Sequence, residues 1–224
     1  MTKKIAVIDP YMVTPSLSCF NHLVNLVGSP IHYHLPQVTG HKTLEEYPAD
    51  GYIVLGSASH IFQNLSWHQP LADFLMAQLQ KNIPVLGICF GHQLLCHAFG
   101  SELGFYRPDE FKLSGVRDVT ITKDVMGLKA GEKLTLTVAH RQIVTKLAPC
   151  LEEVGRDDQL ALSFDLVRHR ELPFLGVQPH PEAIPNYCNT ERPANADEHV
   201  SNSRRDGNKL ITSFLKHHRL MAPA

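Results

Sequence analysis

What the 224-residue chain lacks narrows its function before any motif is considered. No apolar run reaches the ~18 residues that a membrane-spanning helix needs. The N-terminal stretch Ile5-Ala6-Val7-Ile8, set between Lys4 and Asp9, is also too short for the apolar centre of a secretory leader. A cytoplasmic location with no membrane partner is therefore expected. Charge of either sign is scarce in excess: 21 Lys and Arg face 22 Asp and Glu, a formal net charge of −1, so nothing points to nucleic acid. The five cysteines, Cys19, Cys89, Cys96, Cys150 and Cys188, are odd in number and without C-x-x-C spacing. That argues against a disulfide framework or a zinc ribbon and for reduced thiols. No P-loop, ATP-grasp or dinucleotide-binding glycine motif is present, and no repeat or low-complexity tract. His32 and His34 alternate on a candidate strand, but no third ligand at a familiar spacing accompanies them, so neither metal nor cofactor is expected.

What is present has the rhythm of an α/β protein. Apolar, β-branched runs at Lys4 to Asp9, Ile31 to Leu35, Gly51 to Leu55 and Pro84 to Cys89 alternate with helical patterns. Leu71, Phe74, Leu75 and Leu79 form one such helical stripe. This alternation predicts a mostly parallel central sheet flanked by helices on both faces. The second half changes character. Val116 to Thr122, Leu134 to His140, Leu151 to Arg156 and Gln159 to Asp165 read as short strands between Gly, Asp and Lys turns, a small antiparallel excursion. A buried strand returns at Pro173 to Gln178, a polar stretch runs from Asn186 to Gly207, and a helix closes the chain from Asn208 to His218. The length suits one domain over residues 1–224. The polar stretch is long for a plain connection and reads either as a flap over a site or as a solvated loop.

The most informative segment is Gly87-Ile88-Cys89-Phe90-Gly91-His92-Gln93. An apolar strand enters it, and helical spacing at Leu94, Leu95, Ala98 and Phe99 leaves it. This is the strand, tight bend and helix of a G-x-nucleophile-x-G elbow with cysteine as the nucleophile. Glycines flank the bend because Cβ atoms would collide there. Cys89 would face the positive end of the following helix, which favours thiolate, and the N–H of Phe90 would point into the same space as an oxyanion donor. Buried packing is the alternative role for a cysteine in an α/β core. Cys96, which lies on the helix without a glycine bracket, is assigned to it.

A thiolate nucleophile needs an imidazole, and the imidazole needs an orienting acceptor. Gly176-Val177-Gln178-Pro179-His180-Pro181-Glu182 supplies both just past a buried strand. Residues two apart in extended chain project to one side, so Glu182 can fix the ring of His180. Among 14 histidines, His180 is singled out by the prolines beside it and the acid two positions on. His92 also lies near Cys89 in sequence, but its helical position turns it elsewhere.

These two motifs resemble the class I, triad-type glutamine amidotransferases, the family that includes the glutaminase parts of GMP synthetase, anthranilate synthase and carbamoyl phosphate synthetase. The resemblance runs from Ile5 to Glu182 and implies the family's flavodoxin-like fold. It implies Cys89 as nucleophile, His180 as general acid and base, and Glu182 as the group that orients His180. Leu55-Gly56-Ser57-Ala58-Ser59 stands at the family's oxyanion loop, which implies the Ser57 N–H as partner to that of Phe90. Gly56, Gln93 and His140 would line the substrate pocket. The loop reads Gly-Ser-Ala rather than Gly-Gly-Pro, Ser101 stands where a second glycine usually follows the elbow helix, and Arg141-Gln142 replaces a Gly/Asp-type pair. These departures resemble the stand-alone branch that includes γ-glutamyl peptidases.

The implied reaction is hydrolysis of the glutamine side-chain amide through a γ-glutamyl thioester. With no synthetase motif in the chain, a separate ammonia-accepting protein is the expected partner. Two alternatives stay open: a stand-alone γ-glutamyl peptide hydrolase, and a non-catalytic binding or regulatory module on the same fold. A hydrolase of the dienelactone type also uses a cysteine elbow, but it places its acid between the nucleophile and the histidine.

Overall fold

The computed structural model describes residues 3–28, 30–157, 163–184 and 196–221. Its first half alternates strand and helix: β1 (Ile5–Ile8), α1 (Leu17–Val27), β2 (Ile31–His34), α2 (Pro36–Thr39), α3 (Lys42–Glu46), β3 (Gly51–Val54), α4 (His68–Gln80), β4 (Val85–Ile88) and α5 (Phe90–Ala98). Strands then dominate: β5 (Glu102–Phe105), β6 (Leu113–Ile121), β7 (Lys133–His140), β8 (Gln142–Lys146), β9 (Leu151–Arg156), β10 (Leu166–His169) and β11 (Phe174–Val177). The long helix α6 (Ala196–His217) follows.

One nine-stranded sheet carries the molecule, in the order β2-β1-β3-β4-β11-β10-β9-β6-β7. Neighbours from β2 to β11 run parallel, and those from β11 to β7 run antiparallel. The antiparallel excursion therefore continues the central sheet, while β5 and β8 form a separate antiparallel pair. Strands β1, β3, β4 and β11 are buried at every residue, which is why they read as unbroken apolar runs rather than alternating ones.

The pleat sends successive side chains to opposite faces and builds two cores. On one face Ile5 and Val7 pack with Leu23 and Val27 of α1 and with Leu210 and Phe214 of α6. On the other, Ala6 and Ile8 pack with Leu71 and Leu75 of α4 and with Leu94 and Leu95 of α5. Among the described residues no helix is long and apolar enough to cross a membrane.

Several elements differ from the sequence expectation. Helix α6 begins at Ala196, not Asn208; over 201–207 its buried positions are Ser203, Asp206 and Gly207, polar or small residues that give no apolar stripe to read. The rest of the expected polar stretch, residues 185–195, lies outside the described residues, and so does the flap reading placed on it. The strand expected over Gln159 to Asp165 begins instead at Leu166; residues 158–162 lie outside the described part, and 163–165 are irregular. Strands β5 and β8, both unassigned from the sequence, are held by pairing with each other.

Candidate active site

Cys89 stands at the N-cap of α5 with φ 48° and ψ −97°, a conformation that residues with side chains rarely adopt. Space dictates the glycines around it. A Cβ on Gly87 would lie 2.7 Å from the Gly91 carbonyl carbon, and one on Gly91 would lie 2.7 Å from Val54 Cβ. The bend is held from both sides: the Cys89 N–H donates to Val177 O at 2.7 Å, and its carbonyl accepts the Gln93 N–H at 3.0 Å. Phe90 is the first residue of α5, so its N–H has no intrahelical acceptor and remains available at the elbow.

The histidine arrives by strand order. β11 lies beside β4 in parallel with Val177 opposite Ile88, so the chain leaving β11 emerges next to Cys89. It is then pinned, with the Gln178 N–H donating to Asp165 O and the His180 N–H to Thr137 O, both at 2.7 Å. The His180 Nδ1–H donates to Glu182 Oε1 at 2.9 Å, which leaves Nε2 as the ring nitrogen for Cys89; the ring and Cys89 flank the same point, since a Cβ on Gly56 would lie 2.5 Å from His180 Cε1 and 3.4 Å from Cys89 Cβ. Both His180 and Glu182 are almost fully buried, at 2% and 1% exposure. Burial works against a charged ring, but the charges of Glu182 and Cys89 and the hydrogen bonds to both outweigh it, and the pKa of His180 is raised well above 6.5. The imidazolium is thus favoured, the form that pairs with a thiolate.

These groups open onto a cavity of about 300 Å³ whose lining includes Cys89, His180, Gly56, Ser57, Gln93 and His140, a volume suited to a small molecule. Two sequence-predicted site residues are not in the lining: Glu182, which reaches the site only through its bond to His180, and the backbone donor Phe90, whose buried ring packs on the far face with Trp67 and His68. Gly56 lies against the His180 imidazole, where a Cβ would stand 2.5 Å from His180 Cε1. Ser57 is fixed by its hydroxyl, which donates to Pro10 O at 2.5 Å. Gln93 donates from Nε2 to Gln142 O at 2.6 Å and to Gln178 Oε1 at 3.1 Å. Burial, with the nearby charge of His180, lowers the pKa of His140 to about 3, so this ring is neutral.

His92 turns away from the cavity, packing against Cys96, whose Sγ is 3.6 Å from its Nδ1, and against Gly176. Cys96 is fully buried in the apolar core. Sequence reasoning missed several residues of the wall, Tyr11, Thr14 and Lys112 among them, and singled out His140 rather than its neighbours Arg141 and Gln142. They sit on loops and strand ends without periodicity, and only the unusual Arg141-Gln142 pair offered a signal. It also missed Asp9, a fully buried carboxylate at the end of β1. Asp9 accepts from the Ser16 N–H at 2.6 Å and from the Tyr33 hydroxyl. Its position at the carboxyl edge of a parallel strand was the available clue.

A family model described as glutamine amidotransferase class-I matches residues 30–196. Over 101 residues the chain is 36% identical to a glutamine-hydrolysing GMP synthase subunit of Pyrococcus furiosus, covering 45% of this chain and 52% of that protein. Over 145 residues it is 27% identical to gamma-glutamyl peptidase 4 of Arabidopsis thaliana, covering 63% of this chain and 56% of that protein. The chain thus spans little more than half the length of these relatives. The solved structure of a glutamine amidotransferase from Thermotoga maritima shares the fold, with a TM-score of 0.74 over 97% of this chain and 98% of that one, at 17% identity.

Proposed function

Because the chain belongs to the glutamine amidotransferase class-I family, we propose that it hydrolyses the side-chain amide of glutamine, or a γ-glutamyl amide built on it, through a thioester on Cys89. The observation that carries this reading is the position of His180, bonded to Glu182 at 2.9 Å on one side and interacting with the Cys89 side chain on the other. The Cys89 thiolate attacks the γ-carbonyl carbon, and the N–H groups of Phe90 and Ser57 take up the charge that develops on its oxygen. His180 gives a proton to the departing ammonia. It then removes one from the water that hydrolyses the thioester to glutamate. Glu182 holds the ring in the tautomer that both steps require.

The chain as a whole is read as one amidotransferase-like domain working in the cytoplasm. A separate synthetase protein would receive the ammonia, in line with the GMP synthase relative, which is itself named as one part of a larger enzyme. Hydrolysis of γ-glutamyl peptides is a second reading that uses the same chemistry, and the charge of the cavity wall favours it.

The test is glutamate release from glutamine and from γ-glutamyl amides, with and without cell extract, for the wild type beside Cys89→Ala and Cys89→Ser. Release by the wild type that falls on the order of ten-thousandfold in both variants is expected. No release by the wild type under any of these conditions, or release that survives Cys89→Ala, would refute the proposal.

A further inference from the structure

Beyond Cys89 and His180, the charged side chains that the described residues bring to the cavity wall have one sign. Lys112 and Arg141 line it, both exposed, and no Asp or Glu among the described residues does. Neither cation is engaged in an ion pair among the described residues. Arg141 is the single residue between the end of β7 and the start of β8, a joint between the large and small sheets. Its backbone is fixed there by the Tyr106 N–H donating to Arg141 O at 2.7 Å.

Gln142 follows, 2% exposed and also in the lining. The Ile61 N–H can only donate, so the Gln142 atom 2.9 Å from it is the amide oxygen Oε1. The amide orientation is thereby set, and Nε2 remains a buried donor without a partner among the described residues. An unpaired buried donor is costly unless a ligand supplies the acceptor.

The substrate that matches such a wall is an anion. Free glutamine is a zwitterion of zero net charge at neutral pH, and its leaving group is ammonia, which needs neither a cation nor an apolar contact. The cavity nevertheless continues to Met12 and Val13, which are 43% and 84% exposed. A γ-glutamyl amino acid carries a second carboxylate and a net charge of −1, and its side of the scissile bond would occupy that extra room.

We propose, resting on the thioester chemistry above, that Lys112, Arg141 and the Gln142 amide recognise a carboxylate on the leaving amine, and that this chain prefers γ-glutamyl amino acids or short γ-glutamyl peptides to glutamine. The chemistry balances without an oxidant or reductant. The Cys89 sulfur bonds to the γ-carbon, the C–N bond breaks, and the leaving amine takes its proton from His180. Water then restores the thiol and releases glutamate. Charge complementarity at this wall accelerates encounter and lowers KM, while the reacting atoms are untouched.

The experiment compares γ-glutamylglycine with γ-glutamylglycinamide, a pair that differs in the terminal carboxylate, for the wild type and for Lys112→Met, Arg141→Met and the double variant. The wild type is expected to favour the free carboxylate in kcat/KM by roughly tenfold or more, chiefly through KM, and the double variant to lose that preference. Added salt should erode the wild-type preference. Equal turnover of the two substrates by the wild type, or a preference that survives in the double variant, would overturn the proposal. Calorimetric titration of both compounds into Cys89→Ser protein separates the two layers of inference. Carboxylate-dependent binding without any wild-type turnover would refute the thioester reading and support the wall, whereas turnover without a carboxylate preference would do the reverse.

Discussion

The Cys89 N–H donates to the Val177 carbonyl at 2.7 Å, so the bend that presents the sulfur is tied to the last residue of the strand that delivers His180. Two segments some ninety positions apart in sequence are thereby fixed to each other by one backbone bond at the carboxyl edge of the parallel sheet, where α/β folds commonly place their sites.

Gly56 is the most sensitive neighbour of this arrangement. A methyl group there would stand 2.5 Å from His180 Cε1, so Gly56→Ala must displace the ring or the loop. Stability is expected to fall by about 1–3 kcal/mol, while glutamate release falls at least about tenfold because the imidazole leaves the line between sulfur and carboxylate. Thermal melting and steady-state kinetics on the same preparation test this. Wild-type kinetics in a folded Gly56→Ala protein would contradict it.

Glu182→Gln should alter the pH behaviour of His180. Burial opposes the imidazolium, and the charge of Glu182 is the foremost contribution that raises the ring's pKa. With the folded pKa above the unfolded value of about 6.5, protonation of His180 adds stability that is complete below about pH 6.5 and is lost as pH rises through the folded pKa. Removing the carboxylate shrinks that contribution. The melting temperatures of wild type and Glu182→Gln should therefore lie furthest apart at neutral to mildly acidic pH and approach each other in alkali. Turnover should fall between about a hundred- and ten-thousandfold.

Gly207→Ala tests how α6 supports the site. On helix propensity alone, glycine to alanine within a helix gains about 1 kcal/mol. At Gly207, however, the added carbon would run into the Pro181 carbonyl, between His180 and Glu182. Packing should reverse the sign, giving a lower melting temperature and weaker turnover. Arg204→Ala, at an exposed position of the same helix, serves as the control.

Asp165 supplies a pH test that does not depend on the titration of His180. Burial raises its pKa to about 7 despite hydrogen bonds from the Asp157 N–H and the Ser163 hydroxyl. The folded state therefore holds a proton that the unfolded chain releases near pH 3.9, so this group lowers stability as pH rises from about 4 to about 7. Asp165→Asn should be more stable than wild type at about pH 8 and lose that advantage near about pH 4, as followed by denaturant melts.

Much of this was legible because burial leaves a plain signature. The strands that carry the site are buried on both faces and appear as apolar runs, and the elbow announces itself through glycines that sterics demand at Gly87 and Gly91. His180 and Glu182 do meet, but through a turn rather than the extended chain that the spacing suggested: residues 181 and 182 form a bend closed by the Ala183 N–H donating to His180 O at 3.2 Å. The start of α6 was hidden, since Ser203, Asp206 and Gly207 are buried by polar contacts and close approach rather than by hydrophobicity. Ser203 meets Thr137 at 2.8 Å, and Asp206 accepts the Thr135 N–H at 3.0 Å. The cationic wall was equally hidden, because Lys112 and Arg141 come from different loops and are brought to one cavity only by the fold.

The most direct measurement of the central claim is intact mass analysis after mixing the protein with substrate and quenching in acid, followed by peptide mapping. A γ-glutamyl group on the peptide that contains Cys89, formed within the first turnover and absent from Cys89→Ala, is the predicted result. Turnover with no such adduct at any time, or an adduct on another cysteine, would contradict it.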